Sequence, residues 1–151
     1  LTTRLLEREP SRYWEVLEHL SKDQDPEHKR GLKEKLNEKP YNTWYSNHVF
    51  SLSRLVGKMN QGAIDEGYEV GDYYGSSNQG GIPRDLGFSL LKMMLNCGGD
   101  IMAKDYYDNS IVHSLSHPEQ NKFHRTDNEE FKRVVEGIYY ASAEEGIPPE
   151  H

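Results

Sequence analysis

Three acidic residues in one glycine- and tyrosine-rich stretch are the first candidates for chemistry. Glu66, Glu69 and Asp72 lie between residues 65 and 88, where the sequence shows neither helical nor strand periodicity. Two carboxylates in unlike environments can divide the acid and base roles of glycoside hydrolysis, because one stays protonated against aromatic surface. We therefore predict Glu66 or Glu69 as general acid and Asp72 as base or electrostatic stabiliser. The alternative interpretation is a turn-rich segment whose acidic side chains only face water.

The same stretch carries groups that would bind a substrate. Its glycines permit turns and close backbone approach, while its serine and amide side chains form hydrogen bonds in turns. Its aromatic residues favour an ordered loop over a disordered one. The predicted sugar- or peptide-binding residues of this loop are Tyr73, Tyr74, Ser76 and Asn78.

A second polar stretch, from residue 105 to residue 125, is crowded with tyrosine and histidine. Histidine is the usual acid and base near neutral pH, so His113 and His124 are further catalytic candidates. Tyr107 and Arg125 are the candidates for binding substrate. A short helix or strand is expected to anchor the stretch to the core through its apolar residues, which are Ile111, Val112 and Leu115.

The histidine spacing also raises the question of a metal site. His113 and His117 would meet on one helical face, with His124 or Asp127 as a third ligand. A zinc site needs that third ligand in a defined geometry, and Pro118 interrupts the segment. We therefore predict solvated histidines, no bound metal and no cofactor. The glycine-rich stretch also lacks the lysine spacing of a phosphate-binding Walker loop.

Length, charge and composition limit the class of protein. The 151 residues fit one domain with one core, and a start at Leu1 without methionine suggests a piece of a longer protein. The net charge of −7 argues against tight non-specific binding to a phosphate backbone. The single cysteine, Cys97, excludes an internal disulfide. No apolar run reaches membrane-spanning length, so we expect no membrane insertion.

Apolar residues at helical spacing predict a mainly α, single compact domain with long ordered glycine- and tyrosine-rich loops and at most one short β-hairpin. The predicted helices run from a cap at Ser11 to about residue 20, from Pro26 to about residue 38, over residues 41–59, over residues 86–102, and from a capping box at residues 126–130 to about residue 146. Residues 1–40 form a helical lead-in, and residues 41–151 form the body of the domain.

The apolar stripes also predict a core. The helix over residues 86–102 is expected to be the central buried one, because it is apolar almost all round. The last helix is expected to pack against it through four apolar residues, Phe131, Val134, Val135 and Ile138. His48 shares a face with apolar residues and is expected to be a hydrogen-bonded core histidine. Cys97 is expected to be a small buried hydrophobe.

Two pieces of the chain resemble the type 44 family of bacterial polymorphic toxin domains. The family has an acidic, glycine- and tyrosine-rich segment that leads to a G-F pair and an apolar helix, followed later by an acidic run before a helix ending G-I-x-Y-Y. The first piece here is residues 71–75, G-D-Y-Y-G, followed by Gly87-Phe88. The second is residues 127–130, D-N-E-E, followed by residues 137–140, G-I-Y-Y. The resemblance covers residues from the body of the domain and none of the lead-in.

The resemblance implies an antibacterial effector that is secreted as part of a larger protein and delivered into a target bacterium. It further implies a cognate immunity protein as partner. A second likeness is to colicin M-type enzymes, which cleave lipid-linked peptidoglycan precursors through D-x-Y-D and H-R motifs. The residues that resemble those motifs are Asp105, Tyr107, Asp108, His124 and Arg125.

Three functions remain open from the sequence. The first is a monomeric hydrolase of the bacterial cell envelope, acting on peptidoglycan in the periplasm, with both unusual stretches lining one cleft. The second is a metal-independent ribonuclease that uses His113, His117 or His124 as acid and base, and Lys122 and Arg125 on phosphate. The third is a non-catalytic module whose tyrosine-rich loops bind a protein.

Overall fold

The computed structural model describes residues 1–39, 46–56, 58–60, 82–116, 124–126 and 129–145. Within these ranges the protein is mainly α-helical, which confirms the predicted fold class. The elements in chain order are α1 (Thr3–Arg8), α2 (Pro10–Ser21), α3 (Pro26–Asn37), α4 (His48–Leu55), β1 (Lys58–Asn60), α5 (Arg84–Asn96), α6 (Ile111–Ser116), β2 (His124–Thr126) and α7 (Glu129–Glu145).

Polar side chains cap the first turn of several of these helices, including α3 and α4. The carboxylate of Asp25 accepts a hydrogen bond of 2.9 Å from the backbone N–H of Glu27, and Pro26 occupies the first helical position of α3, as predicted. The side chain of Asn47 caps α4 in the same way, by accepting from the N–H of Phe50 at 2.9 Å. The predicted cap at Ser11 is wrong, because α2 already begins at Pro10 and has no side-chain cap.

The helix α4 is the centre of the core. It packs against α1, α3, α5 and α6, and all of its residues except Arg54 are buried. The expectation that the helix of residues 86–102 holds this position is therefore wrong. The corresponding helix α5 buries one face and leaves positions such as Lys92 and Asn96 exposed.

The first forty residues are part of the same core. Helix α1 packs on α2 and α4, α2 packs on α5, and α3 packs on α4. Each of these helices contributes side chains with no exposed surface, which are Leu6, Tyr13, Leu17 and Leu36. The lead-in that the sequence predicts is therefore built into the core by burial of these residues.

Two predicted helices end earlier than expected. Helix α5 stops at Asn96, because Gly98 adopts a φ of +97° that favours glycine and turns the chain. The turn is closed by a hydrogen bond from the N–H of Gly99 to the carbonyl of Met94 at 2.8 Å. Met59 was expected on a helix, but it lies in β1.

The two described strands form a small antiparallel ladder. Lys58 pairs with Thr126, Met59 with Arg125, and Asn60 with His124. The strands are remote in sequence, so the ladder differs from the short hairpin that the loops were expected to contain. It instead ties the segment after α4 to the segment before α7.

The last helix packs on α5 and α6. Phe131 and Val135 are fully buried, and the Phe131 ring lies 5.4 Å from that of Phe88 on α5. Ile138 is half-buried, whereas Val134 is 39% exposed, so its predicted burial is wrong. Among the described residues, none of the helices combines the length and the apolar character that crossing a membrane requires.

Candidate functional site

All of the predicted site residues of the glycine-rich stretch lie outside the described residues. These are Glu66, Glu69, Asp72, Tyr73, Tyr74, Ser76 and Asn78. Their roles as acid, base and substrate-binding groups stay predictions. The described residues that flank this undescribed segment are Asn60 and Ile82.

The chain leaves the C-terminal end of α4 after Val56 and returns to the same end at Ile82. The strand β1, which ends at Asn60, begins two residues after Val56. On the other side, the N–H of Ile82 donates to the carbonyl of Leu55 at 2.8 Å, and Ile82 forms a parallel bridge with Val56. The chain therefore leaves and returns to the core at the same place.

The histidine-bearing segments adjoin the same end of α4. The guanidinium of Arg54 donates to the carbonyl of Ser114 on α6 at 3.3 Å, and α6 carries His113. The strand β2, with His124 and Arg125, pairs with β1. We call this convergence of Arg54–Val56, Ile82, α6, β1 and β2 the α4 junction. Residues from both of the stretches that the sequence singles out thus lie around this junction.

A close approach of two helices helps to form the junction. Gly87, in the first turn of α5, lies so near Val56 that a Cβ added there would fall 2.7 Å from Cγ2 of Val56. A side chain at residue 87 would push α5 away from the end of α4. Gly87, the glycine of the G-F pair in the family resemblance, therefore has a packing role.

The helix α6 holds His113 on an exposed face. Its apolar residues Ile111, Val112 and Leu115 are buried, which confirms that they anchor this stretch as a short helix. The hydroxyl of Ser110 accepts a hydrogen bond from the N–H of His113 at 3.1 Å, and this contact fixes the first turn. The ring of His113 is therefore on the solvent side of an anchored element.

The residues before α6 form a closed loop, residues 104–110, which we call the tyrosine loop. Lys104 and Ser110 close it as an antiparallel bridge. The Asp105 carboxylate accepts hydrogen bonds from the N–H groups of Tyr107 at 2.9 Å and Asn109 at 2.8 Å. Asp108 adopts a φ of +66°, a left-handed conformation that is uncommon outside glycine. The first carboxylate of the D-x-Y-D likeness thus serves to shape the loop.

The tyrosine loop presents two aromatic rings to solvent. Tyr106 is 64% exposed and Tyr107 is 63% exposed. Their ring centroids are 5.4 Å apart, and the rings are nearly perpendicular, at 87°. The Lys39 ammonium lies over the Tyr106 ring, 5.3 Å from its centroid. Tyr107, predicted to bind substrate, is therefore accessible together with a neighbour that the sequence analysis had not singled out.

A partly buried polar network fixes the turn after α5, which leads into this loop. The Asn47 side-chain amide donates to the backbone carbonyl of Asp100 at 2.8 Å and to Oδ1 of Asn37 at 3.1 Å. The side chain of Asn37 in turn accepts from the N–H of Asp100 at 2.7 Å and donates to the carbonyl of Gly98 at 3.0 Å. The end of α3, the start of α4 and the turn after α5 are therefore joined. The sequence held no signal for Asn37, since an asparagine at a helix end is common.

His48 and Cys97 have structural surroundings. His48 is buried, and its Nδ1 lies 2.6 Å from the hydroxyl of Tyr13, which confirms a hydrogen-bonded core histidine. Burial, with a smaller contribution from the Lys35 charge, lowers the pKa of His48 to about 4. Cys97 is half-buried against the core, and burial raises the pKa of its thiol, which disfavours the nucleophilic thiolate.

The described residues contain no cluster of three histidine, cysteine, aspartate or glutamate side chains that could hold a metal ion. His117 and Asp127, which the sequence offers as ligands, lie outside those residues. For His124 and Arg125 the structure describes the backbone, in β2.

Comparison with known proteins found no matching protein family, no matching curated protein and no matching solved structure.

Proposed function

We propose that this chain is the toxin domain of an antibacterial effector and hydrolyses the bacterial cell envelope, with peptidoglycan as its substrate. The observation that supports this proposal is the α4 junction. There Ile82 of the glycine-rich stretch and the helix of His113 contact the end of one buried helix, and the strand of His124 and Arg125 pairs with the strand that follows this helix. Catalytic groups that come from distant parts of a chain need such a common scaffold, because they must be held in fixed mutual positions.

In the proposed mechanism the carboxylates act on a glycosidic bond. Glu66 or Glu69 donates a proton to the leaving oxygen, and Asp72 acts as base or stabilises the developing positive charge on the sugar. His113 lies on a solvent-facing side of α6 and supplies a further acid or base near neutral pH. Tyr107 contributes aromatic surface for the substrate.

The charge of the chain favours a substrate other than nucleic acid. The net charge is −7, and a protein that binds a phosphate backbone gains most of its affinity from lysine and arginine. A peptidoglycan strand carries no backbone phosphates, so its binding does not require a basic surface.

A metal-independent ribonuclease is the second candidate. One feature of the α4 junction favours it. The junction includes both α6, which carries His113, and β2, which carries His124 and Arg125. Two imidazoles can serve as acid and base on a phosphodiester, and a guanidinium can bind the phosphate in a bidentate manner.

Secretion, delivery into the periplasm of a target bacterium and neutralisation by an immunity protein belong to the same proposal. They are supported by the resemblance of residues 71–75, 87–88, 127–130 and 137–140 to the type 44 toxin domains.

Expression of the domain in bacteria, once in the cytoplasm and once with an export signal, tests the proposed function. Lysis on export alone supports the envelope hydrolase. Growth arrest with loss of RNA on cytoplasmic expression would support the ribonuclease instead. Toxicity in neither compartment would leave the non-catalytic binding module as the better account.

Two variants test the residue roles within this experiment. Asp72→Asn is nearly isosteric and should lower the rate of hydrolysis by roughly 10²-fold or more, the scale of general acid–base catalysis. His113→Ala should also reduce toxicity on export. His19→Ala is the matched control, because His19 is an exposed histidine on α2, away from the junction. If His113→Ala and Asp72→Asn both keep full toxicity, the proposed mechanism is wrong.

A further inference from the structure

The tyrosine loop combines exposed aromatic surface with a fixed backbone. Tyr106 and Tyr107 are each nearly two-thirds exposed. The loop beneath them is closed by the Lys104–Ser110 bridge and by the hydrogen bonds that Asp105 accepts from Tyr107 and Asn109. Two largely exposed tyrosines thus lie on a loop whose backbone is closed by hydrogen bonds.

The anchoring extends below the loop. Asn37 and Asn47 bond both the N–H and the carbonyl of Asp100, and Ile101 is buried directly after it. On the other side, Ser110 caps α6. Because both ends of the loop are fixed, a ligand that binds the rings would pay little of the ordering cost that binding to a mobile loop requires. Preorganised tyrosines are typical of recognition surfaces.

The area of this surface limits the size of its ligand. A tyrosine side chain offers roughly 150–250 Å² of surface. The exposed parts of the two residues therefore amount to roughly 190–320 Å², whereas a stable protein interface buries about 800 Å² on each partner. The rings are the right size for one or two sugar units and too small to hold a protein partner by themselves.

The chemistry of the loop agrees with a sugar. The face of a pyranose ring carries C–H groups, which pack on the electron-rich face of an aromatic ring, while its edge carries hydroxyl and acetamido groups. Polar side chains surround the tyrosines. The Lys39 ammonium lies over one face of the Tyr106 ring, and Lys104 and Asp108 of the same loop form an exposed ion pair at 3.6 Å. These groups can donate hydrogen bonds to the polar edge of a sugar and accept hydrogen bonds from it.

We propose that the tyrosine loop is a glycan-binding subsite that takes the amino-sugar backbone of peptidoglycan. The proposal rests on the function proposed above and assigns its substrate recognition to Tyr106 and Tyr107. The loop is joined directly to α6, since Ser110 ends the loop and caps that helix. A strand held on the tyrosines is thereby held next to the element that carries His113.

A second tyrosine pair in the protein provides a matched control. Tyr139 and Tyr140 on α7 have ring centroids 5.3 Å apart at 88°, which is nearly the geometry of the loop pair. Tyr139 packs against the core, however, so only Tyr140, at 57% exposed, offers a free ring surface. Tyr140 lies on a helix instead of a loop and should not take part in glycan binding.

Co-sedimentation with purified, protease-treated peptidoglycan sacculi tests the subsite, and soluble oligomers of N-acetylglucosamine serve as competitors. The wild-type chain should sediment with sacculi and be released by the oligomers. Tyr106→Ala and Tyr107→Ala should each weaken binding by about tenfold, because each removes one stacking ring. Tyr107→Phe keeps the ring and should bind nearly as well as the wild type. Tyr140→Ala should bind like the wild type.

Several results would overturn the subsite. They are a wild-type chain that does not sediment, loop variants that bind like the wild type, and equal losses in Tyr140→Ala and the loop variants. Binding only to sacculi that keep their attached proteins would mean that the loop recognises a protein. The proposed hydrolase is tested separately by toxicity on export. Toxicity without sacculus binding would refute the subsite alone, and sacculus binding without toxicity or hydrolysis would refute the hydrolase alone.

Discussion

The hydroxyl of Tyr13 lies 2.6 Å from Nδ1 of His48 in the interior of the protein, and this contact joins α2 to the start of α4. Burial raises the pKa of Tyr13, so the phenol keeps its proton. The pKa of His48, at about 4, leaves the imidazole neutral near pH 7. Because a phenol is the better donor and an imidazole nitrogen the better acceptor, the Tyr13 hydroxyl donates to Nδ1 and the ring proton lies on Nε2.

Removal of the Tyr13 hydroxyl should destabilise the protein without changing its fold. Tyr13→Phe leaves Nδ1 of His48 buried and unpaired, which costs about 1–3 kcal/mol of unfolding free energy. The double variant Tyr13→Phe with His48→Leu should recover part of that loss, since no unpaired polar group remains. Urea unfolding of the single and double variants measures the coupling. Strictly additive losses would show that the two residues do not depend on each other.

The same pair makes stability depend on pH. His48 has an ordinary pKa of 6.5, which the fold lowers to about 4 through burial and through the positive charges of Lys35 and the N-terminus, against the opposing effect of Glu38. Between these two values the unfolded chain binds a proton that the folded protein does not. Stability should therefore fall as the pH drops from 6.5 towards 4, by roughly 3 kcal/mol in total from this group.

His48→Leu should remove this part of the pH dependence. Unfolding free energies measured by urea at several pH values from 7 to 4 would show a flatter profile for the variant. His28→Gln is the control, because the pKa of His28 is raised by a hydrogen bond to Asp23 and its side chain is exposed. It should not flatten the fall. A wild-type profile that stays level over this range would contradict the assignment.

The sequence predicted features that depend on local chemistry. Asp25 and Pro26 start α3 because a side-chain acceptor and a fixed φ act within one turn. The burial of His48 followed from its place among apolar residues on one helical face, and Ile111, Val112 and Leu115 followed from their apolar character. Such signals lie within a few residues of the feature that they determine.

Features that depend on tertiary partners were not predictable. Met59 continues the helical period of α4, but its backbone pairs with Arg125 from a remote segment, and that pairing converts it to a strand. Val134 belongs to the same helical pattern of apolar residues as Val135, yet it is 39% exposed. The α4 junction was not predictable for the same reason. The sequence around residues 54–56, 82 and 114 contains no local signal that these residues contact one another. The periodicity of apolar residues predicts which face of a helix is buried. It does not predict which other elements cover that face.

Asn47 should contribute through two separable interactions. Asn47→Ser retains an oxygen that can cap α4 but loses the amide that donates to Asn37 and to the carbonyl of Asp100. Since these acceptors are partly buried, we expect a loss of about 1–3 kcal/mol and faster amide hydrogen exchange in residues 98–109. Thr2→Ala removes an exposed cap from α1 and is the control, which should leave that exchange unchanged. Unchanged exchange in Asn47→Ser would mean that the network does not hold the turn.

Two glycines should respond to alanine in opposite directions. Gly87→Ala puts a Cβ 2.7 Å from the Val56 side chain, and we expect it to cost about 1–3 kcal/mol. Gly31→Ala, in α3, meets nothing within 4 Å and should stabilise the protein by about 0.5–1 kcal/mol through helix propensity. Thermal and urea unfolding measure both. Adding Val56→Ala to Gly87→Ala should return part of the lost stability if the clash is the cause, and a further loss in the double variant would argue against it.

Adjacent valines on α7 provide the sharpest test of the core. Val135 has no exposed surface, whereas Val134 is 39% exposed, on the same helix and with the same side chain. Val135→Asp buries an unpaired carboxylate among apolar residues, which costs several kcal/mol of a total stability of about 5–15 kcal/mol, so the domain should be largely unfolded. Val134→Asp should change stability by no more than about 0.5 kcal/mol, as surface substitutions usually do. Circular dichroism and thermal melting distinguish the two variants. If both melt like the wild type, α7 does not pack on α5 and α6 through Val135, and if both unfold, Val134 is covered by a contact that its exposure does not indicate.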